Sequence, residues 1–223
     1  DHIVLDKQFR SEGVAVADVN RDGNNDIIVG DLWYSAPDWK AHEVRAPQSY
    51  DPNNGYSQCF ANFAADVDDD GWTDSIVIGF PGAPANWYRN PGNETDHWKE
   101  YLLATSACGE TPIYGDLLGD GRPVPVFAMN SRITWFRTGQ DKLAPWLAYP
   151  LSHQLGEFAQ FGHGLGMGDV NGDGRLDVLS TEGWWEGPVD RTRPDWGFHG
   201  VKLGPACANM LVYDVDGDGD NDI

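Results

Sequence analysis

The chain has few basic residues for its length, and this shortage excludes whole classes of partner. Lysine and arginine together number 15, whereas aspartate and glutamate number 35, so the formal net charge is −20. Nucleic acids and anionic membrane surfaces both attract basic protein surfaces, which this composition does not provide. The sequence therefore predicts no nucleic-acid partner.

Cysteines and long apolar runs are also scarce. The three cysteines, Cys59, Cys108 and Cys207, are too few to build a disulfide scaffold. No stretch of about 18 apolar residues occurs, so the sequence predicts no membrane span, and no helical period is sustained. Because hydrophobic residues still make up 40% and aromatic residues 12% of the 223 positions, we expect a packed core. The lack of a helical period and the short strand-like runs predict that the fold is all-β.

What the chain does contain is a recurring acidic motif of nine residues. Oxygen-bearing side chains stand at its first, third, fifth and ninth positions, and a glycine at the sixth position permits a sharp turn. Complete copies occupy residues 18–26 (loop 1), 66–74 (loop 2), 169–177 (loop 4) and 214–222 (loop 5), and an incomplete copy occupies residues 116–124 (loop 3). The copies begin 45 to 53 residues apart, which is typical of a repeat architecture.

Each complete copy offers hard oxygen ligands, a set that suits Ca²⁺ with its about 6–8 oxygen contacts. Zn²⁺ would favour histidine or cysteine, which the loops lack. The backbone carbonyl of the seventh residue can add a further oxygen. We therefore predict about four calcium ions, held by Asp18, Asn20, Asp22, Asn24, Asp26, Asp66, Asp68, Asp70, Trp72, Asp74, Asp169, Asn171, Asp173, Arg175, Asp177, Asp214, Asp216, Asp218, Asp220 and Asp222.

Loop 3 keeps acidic residues only at Asp116 and Asp120, because Leu118 and Val124 stand at its third and ninth positions. Neither hydrocarbon side chain can coordinate a cation, so we expect the turn to persist without an ion. For the complete copies, a plain aspartate–glycine turn without metal is the alternative. Four carboxylates that face one another without a cation would repel, which favours the metal.

Two aromatic markers follow the first four loops in a fixed order. The first is a tryptophan–aromatic pair, and its copies are Trp33-Tyr34, Trp87-Tyr88, Trp135-Phe136 and Trp184-Trp185. The second is a Trp-x-x-His or Trp-x-x-Tyr segment, and its copies are Trp39-x-x-His42, Trp98-x-x-Tyr101, Trp146-x-x-Tyr149 and Trp196-x-x-His199. Together with the apolar runs on either side of each loop, the markers predict four short strands per repeat.

Units of four strands that repeat every ~40–50 residues predict a β-propeller, in which neighbouring blades cover one another's faces. We expect the aromatic pairs to fill the space between blades. The predicted domain spans residues 1–223, with blade repeats near 11–45, 58–103, 108–150, 162–203 and 207–223. These amount to about four to five blades, which we interpret as a fragment of a larger, seven-bladed ring, with residues 1–5 as the fourth strand of a blade.

The loops, together with the small apolar strand before them and the Asp-Ile/Val-Ile/Val run after them, resemble FG-GAP or VCBS repeats. That family builds calcium-loop β-propellers, including integrin α-chain heads and many secreted bacterial proteins. Trp87-Tyr88-Arg89-Asn90-Pro91 and Trp185-Glu186-Gly187-Pro188 are similar to the bacterial branch, whereas the Phe-Gly that precedes the integrin loops is poorly kept. The resemblance implies an extracellular or periplasmic location and no single activity.

The ends of the blades opposite the calcium loops are the expected place for a ligand, because loops on a rigid scaffold carry function. Two long connections, 45–58 and 151–163, contain candidate sugar-binding residues, namely Tyr56, Gln58, His153 and Glu157. Aromatic faces can stack on sugars, while amides and carboxylates can bind hydroxyl groups. The sequence thus favours a glycan or a protein as the partner and does not indicate an oligomeric state.

Three polar residues stand six positions before the first aspartate of their loops, where packing alone would favour an apolar residue. They are Glu12, Glu110 and His163. We predict that they converge at the mouth of a central channel, as an acid–base or metal site or as unrelated polar residues of a solvated opening. By contrast, His42 and His199 recur in register with tyrosines, which predicts a structural role.

Three functions fit these patterns. The first is a calcium-stabilised binding module for carbohydrate or a protein partner. The second is an enzyme, of the polysaccharide lyase or sugar dehydratase type, that uses the His163 and glutamate site. The third is a purely structural domain of a larger exported protein.

Overall fold

Antiparallel sheets follow one another along the chain in the computed structural model, which describes residues 2–94, 96–156 and 158–223. Sheet 1 contains β1 (Ala15–Ala17), β2 (Asp26–Val29), β3 (Leu32–Ser35) and β4 (Lys40–Glu43). Sheet 2 contains β5 (Ala61–Ala65), β6 (Asp74–Ile78), β7 (Ala85–Arg89) and β8 (Lys99–Ala104). Sheet 3 contains β9 (Cys108–Gly115), β10 (Val124–Met129), β11 (Arg132–Arg137) and β12 (Leu147–Pro150). In each sheet the strands lie side by side in chain order, so the all-β prediction with four-stranded units is confirmed.

Sheet 4 has one strand more than the others. It contains β13 (Leu165–Gly168), β14 (Asp177–Ser180), β15 (Gly183–Glu186), β16 (Gly197–Gly200) and β17 (Asn209–Leu211). Strand β17 pairs in parallel with β13, so residues 209–211 extend sheet 4. In the described part of residues 207–223, the only further β pairing is the bridge between Tyr213 and Asp222.

Two local expectations were wrong. Residues 2–5 form no strand, because they pair with no other strand in the described part of the chain. The stretch 151–163 was expected to be a loop throughout, yet it contains the one-turn helix α1 (Phe158–Phe161), which is too short to leave a periodic signal in the sequence. No helix of the described residues has the length and apolar character that a membrane crossing requires.

The chain divides into two compact units, each with two sheets. The first unit comprises Asp1–Ala107 and Thr138–Trp146, and the second comprises Cys108–Arg137 and Leu147–Ile223. Each unit has its own hydrophobic core, with Ile28 and Val44 fully buried in the first and Leu117 and Val178 fully buried in the second.

Most residues of the tryptophan–aromatic pairs are buried, whereas Trp184 is half-buried. Trp87, Tyr88, Trp135 and Phe136 are all at most 2% exposed. The first tryptophan of each pair stacks on the histidine or tyrosine of the second marker in the neighbouring strand, and the stacked pairs are Trp33–His42, Trp87–Tyr101, Trp135–Tyr149 and Trp184–His199. These stacks confirm the structural role predicted for His42 and His199.

The two sheets within a unit are joined by equivalent backbone hydrogen bonds. In the first unit, the N–H of Trp98 donates to the carbonyl of Val44 at 2.8 Å, and in the second, the N–H of Trp196 donates to the carbonyl of Leu151 at 2.7 Å. The tryptophan of the second marker therefore has the same place in both units, which is why it recurs in the sequence.

Candidate metal centre and ligand surface

The first aspartate of each loop shapes the turn through its carboxylate. In loop 2, Asp66 accepts the backbone N–H of Asp70 at 3.0 Å and that of Gly71 at 2.8 Å. The fifth and sixth N–H groups bind the first aspartate in the same way in the other loops, at Asp18, Asp116, Asp169 and Asp214. Loop 3 therefore keeps the turn without a full ligand set, as expected.

The ninth aspartate closes the loop and joins it to the sheet. Asp74 accepts the N–H of Val67 at 2.9 Å through Oδ2 and the N–H of Asn90 at 2.8 Å through Oδ1. Burial raises the pKa of Asp74 to about 8, although these two hydrogen bonds lower it. The negative charges of Asp68 and Asp70 add to the rise. A nearby cation would lower that pKa, since it favours the charged form of a carboxylate.

The ninth aspartates of the other complete loops make the same bond to the second residue of the loop. Asp26 and Asp177 are fully buried, and each accepts two backbone N–H groups. Asp26 accepts those of Val19 and Ala36. Asp177 accepts those of Val170 and Gly187. In loop 5, Asp222 accepts the N–H of Val215. The predicted ninth ligand is thus also an internal support of the fold, a role that the sequence pattern alone did not reveal.

Loop 2 brings three carboxylates together. One oxygen from each of Asp66, Asp68 and Asp74 lies within 4.8 Å of the others. The side chain of Asp68 is only 7% exposed, and its Oδ1 is buried and accepts no hydrogen bond from the described residues. A buried carboxylate oxygen without a partner is costly, so this oxygen favours a bound cation at loop 2.

The remaining predicted ligands fall into two arrangements. In loop 5, oxygens of Asp214, Asp216 and Asp218 also lie within 4.8 Å of one another, so this second group could hold a metal ion. In loops 1 and 4 the third residue is an asparagine. The amide oxygen of Asn20 accepts the N–H of Asp22, and that of Asn171 accepts the N–H of Asp173. The seventh residues, Asn24, Trp72, Arg175 and Asp220, each donate a backbone N–H to the fifth aspartate.

Arginines bind the fifth aspartate in three loops, and the sequence patterns did not predict these contacts. Arg89 binds Asp70 in loop 2, Arg137 binds Asp120 in loop 3, and Arg175 binds Asp173 in loop 4. Arg89 and Arg137 both follow the tryptophan–aromatic pair directly. That shared register is the signal that could have identified them.

An exposed aromatic cluster lies at the end of sheet 2 opposite loop 2. The ring of Tyr56 is 5.1 Å from that of Phe60 and 5.5 Å from that of Phe80, and the last two are 5.5 Å apart, all between centroids. Tyr56 is 62% and Phe80 40% exposed, and Gln58 is also exposed. Phe60 precedes β5 and donates its backbone N–H to the carbonyl of Ile78, whereas loop 2 connects the other ends of β5 and β6. The five residues of β5 place the cluster about 17 Å from the loop.

The predicted histidine–glutamate site is present as a pair. His163 Nε2 lies 3.4 Å from Glu110 Oε2, with the two side chains 40% and 33% exposed. Glu12 belongs to the first unit and accepts hydrogen bonds from the backbone N–H and the hydroxyl of Ser57. The structure therefore brings two of the three residues into contact and gives the third a partner of its own.

His153 lies beside aromatic residues of sheet 4. Its ring is 5.2 Å from that of Phe198 and 6.0 Å from that of Trp185. His153 is nonetheless exposed, and its role in ligand binding stays a prediction. Glu157, predicted as a ligand-binding residue, lies outside the described residues.

Comparison of the chain with models of known protein families and with curated proteins found no match.

Proposed function

We propose that the chain is a calcium-stabilised part of a β-propeller of the FG-GAP or VCBS type, which acts outside the cytoplasm as a binding module for carbohydrate. Support for the propeller comes from the sheets, since each is a meander of strands in chain order and carries its loop and aromatic pair in the same register. The equivalent hydrogen bonds of Trp98 and Trp196 support a repeated packing of one sheet on the next.

The observation that carries the calcium part is the buried, unpartnered Oδ1 of Asp68 in a group with Asp66 and Asp74. A hard divalent cation with oxygen ligands fits this group. Calcium would be held there by the aspartates of loop 2, and it would offset the repulsion among them. Its role would be to fix the loop and the two strands that the loop connects.

A thermal melt with and without chelator tests this part. An ion that binds only the folded state stabilises it by mass action, by about 2.7 kcal/mol at a free concentration of 100 times Kd. We expect EDTA to lower Tm and added Ca²⁺ to restore it, whereas equal melts in both conditions would contradict the proposal. Asp68→Asn is the matched variant, because it keeps the shape of the side chain and should lose the part of the calcium effect that comes from loop 2.

The ligand part rests on the cluster of Tyr56, Phe60 and Phe80. Large aromatic side chains bury favourable area against a partner, and the tyrosine hydroxyl adds a polar group. Sugars combine apolar ring faces with hydroxyl groups. The exposed amide of Gln58 and the carboxylate of Glu12, which is hydrogen-bonded to Ser57, provide polar groups that could bind such hydroxyls. The net charge of −20 favours a neutral or basic glycan over an acidic one.

A glycan array followed by calorimetry tests the ligand part. We expect Tyr56→Ala and Phe80→Ala each to weaken binding of the recognised glycan by about tenfold or more, since a stacked aromatic ring contributes on the order of 1–2 kcal/mol. Tyr213→Ala is the control, because Tyr213 is 69% exposed and lies in the second unit. Equal losses in all three variants, or no glycan bound by the wild type, would contradict the assignment.

A second candidate function is favoured by the contact between His163 and Glu110. A histidine that faces a carboxylate can act as a general base, and lyases of acidic polysaccharides require such a group. Assay of polysaccharide cleavage with His163→Ala and Glu110→Gln would detect this activity as turnover in the wild type that both variants lose. If the chain neither binds nor cleaves a glycan, but calcium still raises its Tm, the purely structural role would remain.

A further inference from the structure

Two arginines of equivalent position reach the acidic loops of their own sheets. Arg89 ends β7 and Arg137 ends β11, and each directly follows the tryptophan–aromatic pair. Arg89 binds Asp68 Oδ2 through Nε at 2.5 Å and Asp70 Oδ2 through Nη2 at 2.9 Å. Arg137 binds Asp120 Oδ2 through Nη2 at 2.7 Å. In both loops the guanidinium thus contacts the fifth aspartate.

The guanidinium binds the carboxylate oxygen of the fifth aspartate that accepts no hydrogen bond from the turn. Asp70 Oδ1 already accepts the backbone N–H of Trp72 at 2.9 Å, and Asp120 Oδ1 accepts that of Arg122 at 3.1 Å. Oδ2 is therefore the oxygen of each fifth aspartate that could serve a cation from outside the chain. In both loops it is bound by an arginine instead.

Loops 2 and 5 differ in whether the fifth aspartate joins the group of three carboxylates, and only in loop 2 is that aspartate bound by an arginine from outside the loop. In loop 5, the fifth aspartate, Asp218, belongs to the group of three carboxylates that approach within 4.8 Å, and residues 194–223 contain no arginine. In loop 2 the group consists of the first, third and ninth aspartates, and the fifth aspartate is bound by Arg89. The arginine contact thus coincides with the absence of Asp70 from the group.

The charges at the ligand positions differ among the loops. Loops 2 and 5 have an aspartate at the third position and carry four carboxylates at their first, third, fifth and ninth positions, whereas loops 1 and 4 have an asparagine there and carry three. The single positive charge of Arg89 offsets the additional carboxylate of Asp68. In sheets 1 and 4, the residue equivalent to Arg89 is not basic. It is Ser35 in β3 and Glu186 in β15.

We infer that Arg89 is a built-in counter-cation of loop 2 that lowers the affinity of this loop for a divalent ion, and that Arg137 holds loop 3 together where no ion can bind. The inference rests on the calcium part of the proposed function. A divalent ion that recruits Asp70 must displace a guanidinium that already binds two carboxylates. Arg89 is therefore an affinity-determining residue, and it also stabilises the loop when calcium is absent.

Terbium luminescence measures ion binding at loop 2 through the part of the signal that depends on Trp72, which is the only tryptophan within the five loops. Excitation of an indole sensitises a Tb³⁺ ion only at short range, so titration with Tb³⁺ as the probe reports the loop next to Trp72. Trp72→Phe should remove this part of the signal, which identifies its source. Displacement of Tb³⁺ by Ca²⁺ then gives the relative affinity for calcium in each variant.

Arg89→Met is expected to bind Tb³⁺ and Ca²⁺ at loop 2 about tenfold more tightly than the wild type, since a positive charge next to the site is lost. The same variant should melt at a lower temperature in EDTA, because the four carboxylates lose their counter-cation. Arg89→Lys keeps the charge and should remain close to the wild type in affinity. Should Arg89→Met fail to fold, Arg89→Gln is the second neutral variant and carries the same expectation.

The opposite signs of the two effects separate this inference from other roles of Arg89. If the arginine only positioned Asp68, the neutral variants would bind the ion more weakly, and this result, like an unchanged affinity, would overturn the inference while leaving the calcium loops intact. If neither the wild type nor the neutral variants showed sensitised Tb³⁺ at loop 2, the calcium site and the inference would both be wrong. Arg137→Met is the control, expected to lower Tm in EDTA without creating a site, since Leu118 and Val124 cannot coordinate an ion.

Discussion

Asp177 accepts the backbone N–H of Val170 at 2.9 Å through one carboxylate oxygen and that of Gly187 at 2.8 Å through the other. The carboxylate is fully buried and therefore ties loop 4 to the third strand of its sheet. The equivalent aspartates of loops 1 and 2 make the same pair of bonds. The aspartate at the ninth position of the motif thus supports the fold through hydrogen bonds that do not require a bound ion.

Asp177→Ala should destabilise the metal-free protein by about 2–4 kcal/mol, because two buried N–H groups lose their acceptor. Urea unfolding in EDTA measures this loss. Asp190→Ala serves as the control, since Asp190 is exposed and its carboxylate accepts hydrogen bonds from its near neighbour Thr192. A loss below about 0.5 kcal/mol, the size expected of an ordinary surface change, would show that water replaces the carboxylate at both N–H groups.

The loops and the strands could be predicted because their signals are local in sequence. The residues that form the turn of loop 2, from Asp66 to Asp74, lie within nine positions, and the tryptophan pairs mark strands that alternate with turns. The contact of Arg89 with Asp68 spans 21 residues, and that of Arg137 with Asp120 spans 17, so the loop motif does not reveal them. Only the shared register of the two arginines after their aromatic pairs points to these contacts.

The candidate ligand surface depended even more on the path of the chain. Tyr56 was selected for its place in a long connection, but Phe60 and Phe80 come next to it only because β5 and β6 pair with Ala61 opposite Ile78. The pairing of Glu110 with His163 followed from their shared position in the repeat. The partner of Glu12, Ser57, lies 45 residues away and was not predictable from spacing.

Gly13 lies against the backbone of the segment that begins β5. A Cβ atom on this residue would lie 2.6 Å from the backbone nitrogen of Asn62 and 2.7 Å from the Cα of Ala61. Because backbone atoms cannot move aside independently, Gly13→Ala should separate the sheets locally and cost about 1–3 kcal/mol. Thermal and urea unfolding measure this cost. Gly204→Ala has open space around its Cβ and should change stability little, so equal effects of the two substitutions would refute the steric explanation.

Arg45 neutralises a buried carboxylate of sheet 1. Its Nε lies 2.5 Å from Asp31 Oδ1, the side chain of Asp31 is only 2% exposed, and another guanidinium nitrogen donates to the hydroxyl of Tyr88. Arg45→Met should therefore destabilise the protein by about 3–5 kcal/mol, since it leaves an unpaired buried charge. Chemical unfolding of this variant and of Arg45→Met with Asp31→Asn provides the measurement. The double variant should recover part of the loss, and a double variant as unstable as the sum of the single changes would exclude the ion pair as the cause.

Asp6 provides a pH-dependent contribution to stability that does not involve the metal loops. Burial alone would raise its pKa, but hydrogen bonds from the N–H of Gln8, the guanidinium of Arg10 and the hydroxyl of Tyr34 outweigh that effect and lower the pKa from 3.8 to about 2. The pKa is thus lower in the folded state than in the unfolded state, so the folded state favours the charged carboxylate. The contribution is fully present above about pH 4 and is lost as the pH falls through about 2.

Asp6→Asn should therefore lower the free energy of unfolding by about 1–2 kcal/mol at pH 6 and progressively less as the pH falls from 4 towards 2. Urea unfolding of both proteins in EDTA at a series of pH values measures the difference, and the chelator keeps calcium from contributing to the profile. Tyr34→Phe removes only one of the three hydrogen bonds and should show a smaller difference with the same pH dependence. A difference that stayed constant from pH 6 to pH 2.5 would mean that Asp6 acts through packing rather than through its charge, because only a charged carboxylate loses its advantage on protonation.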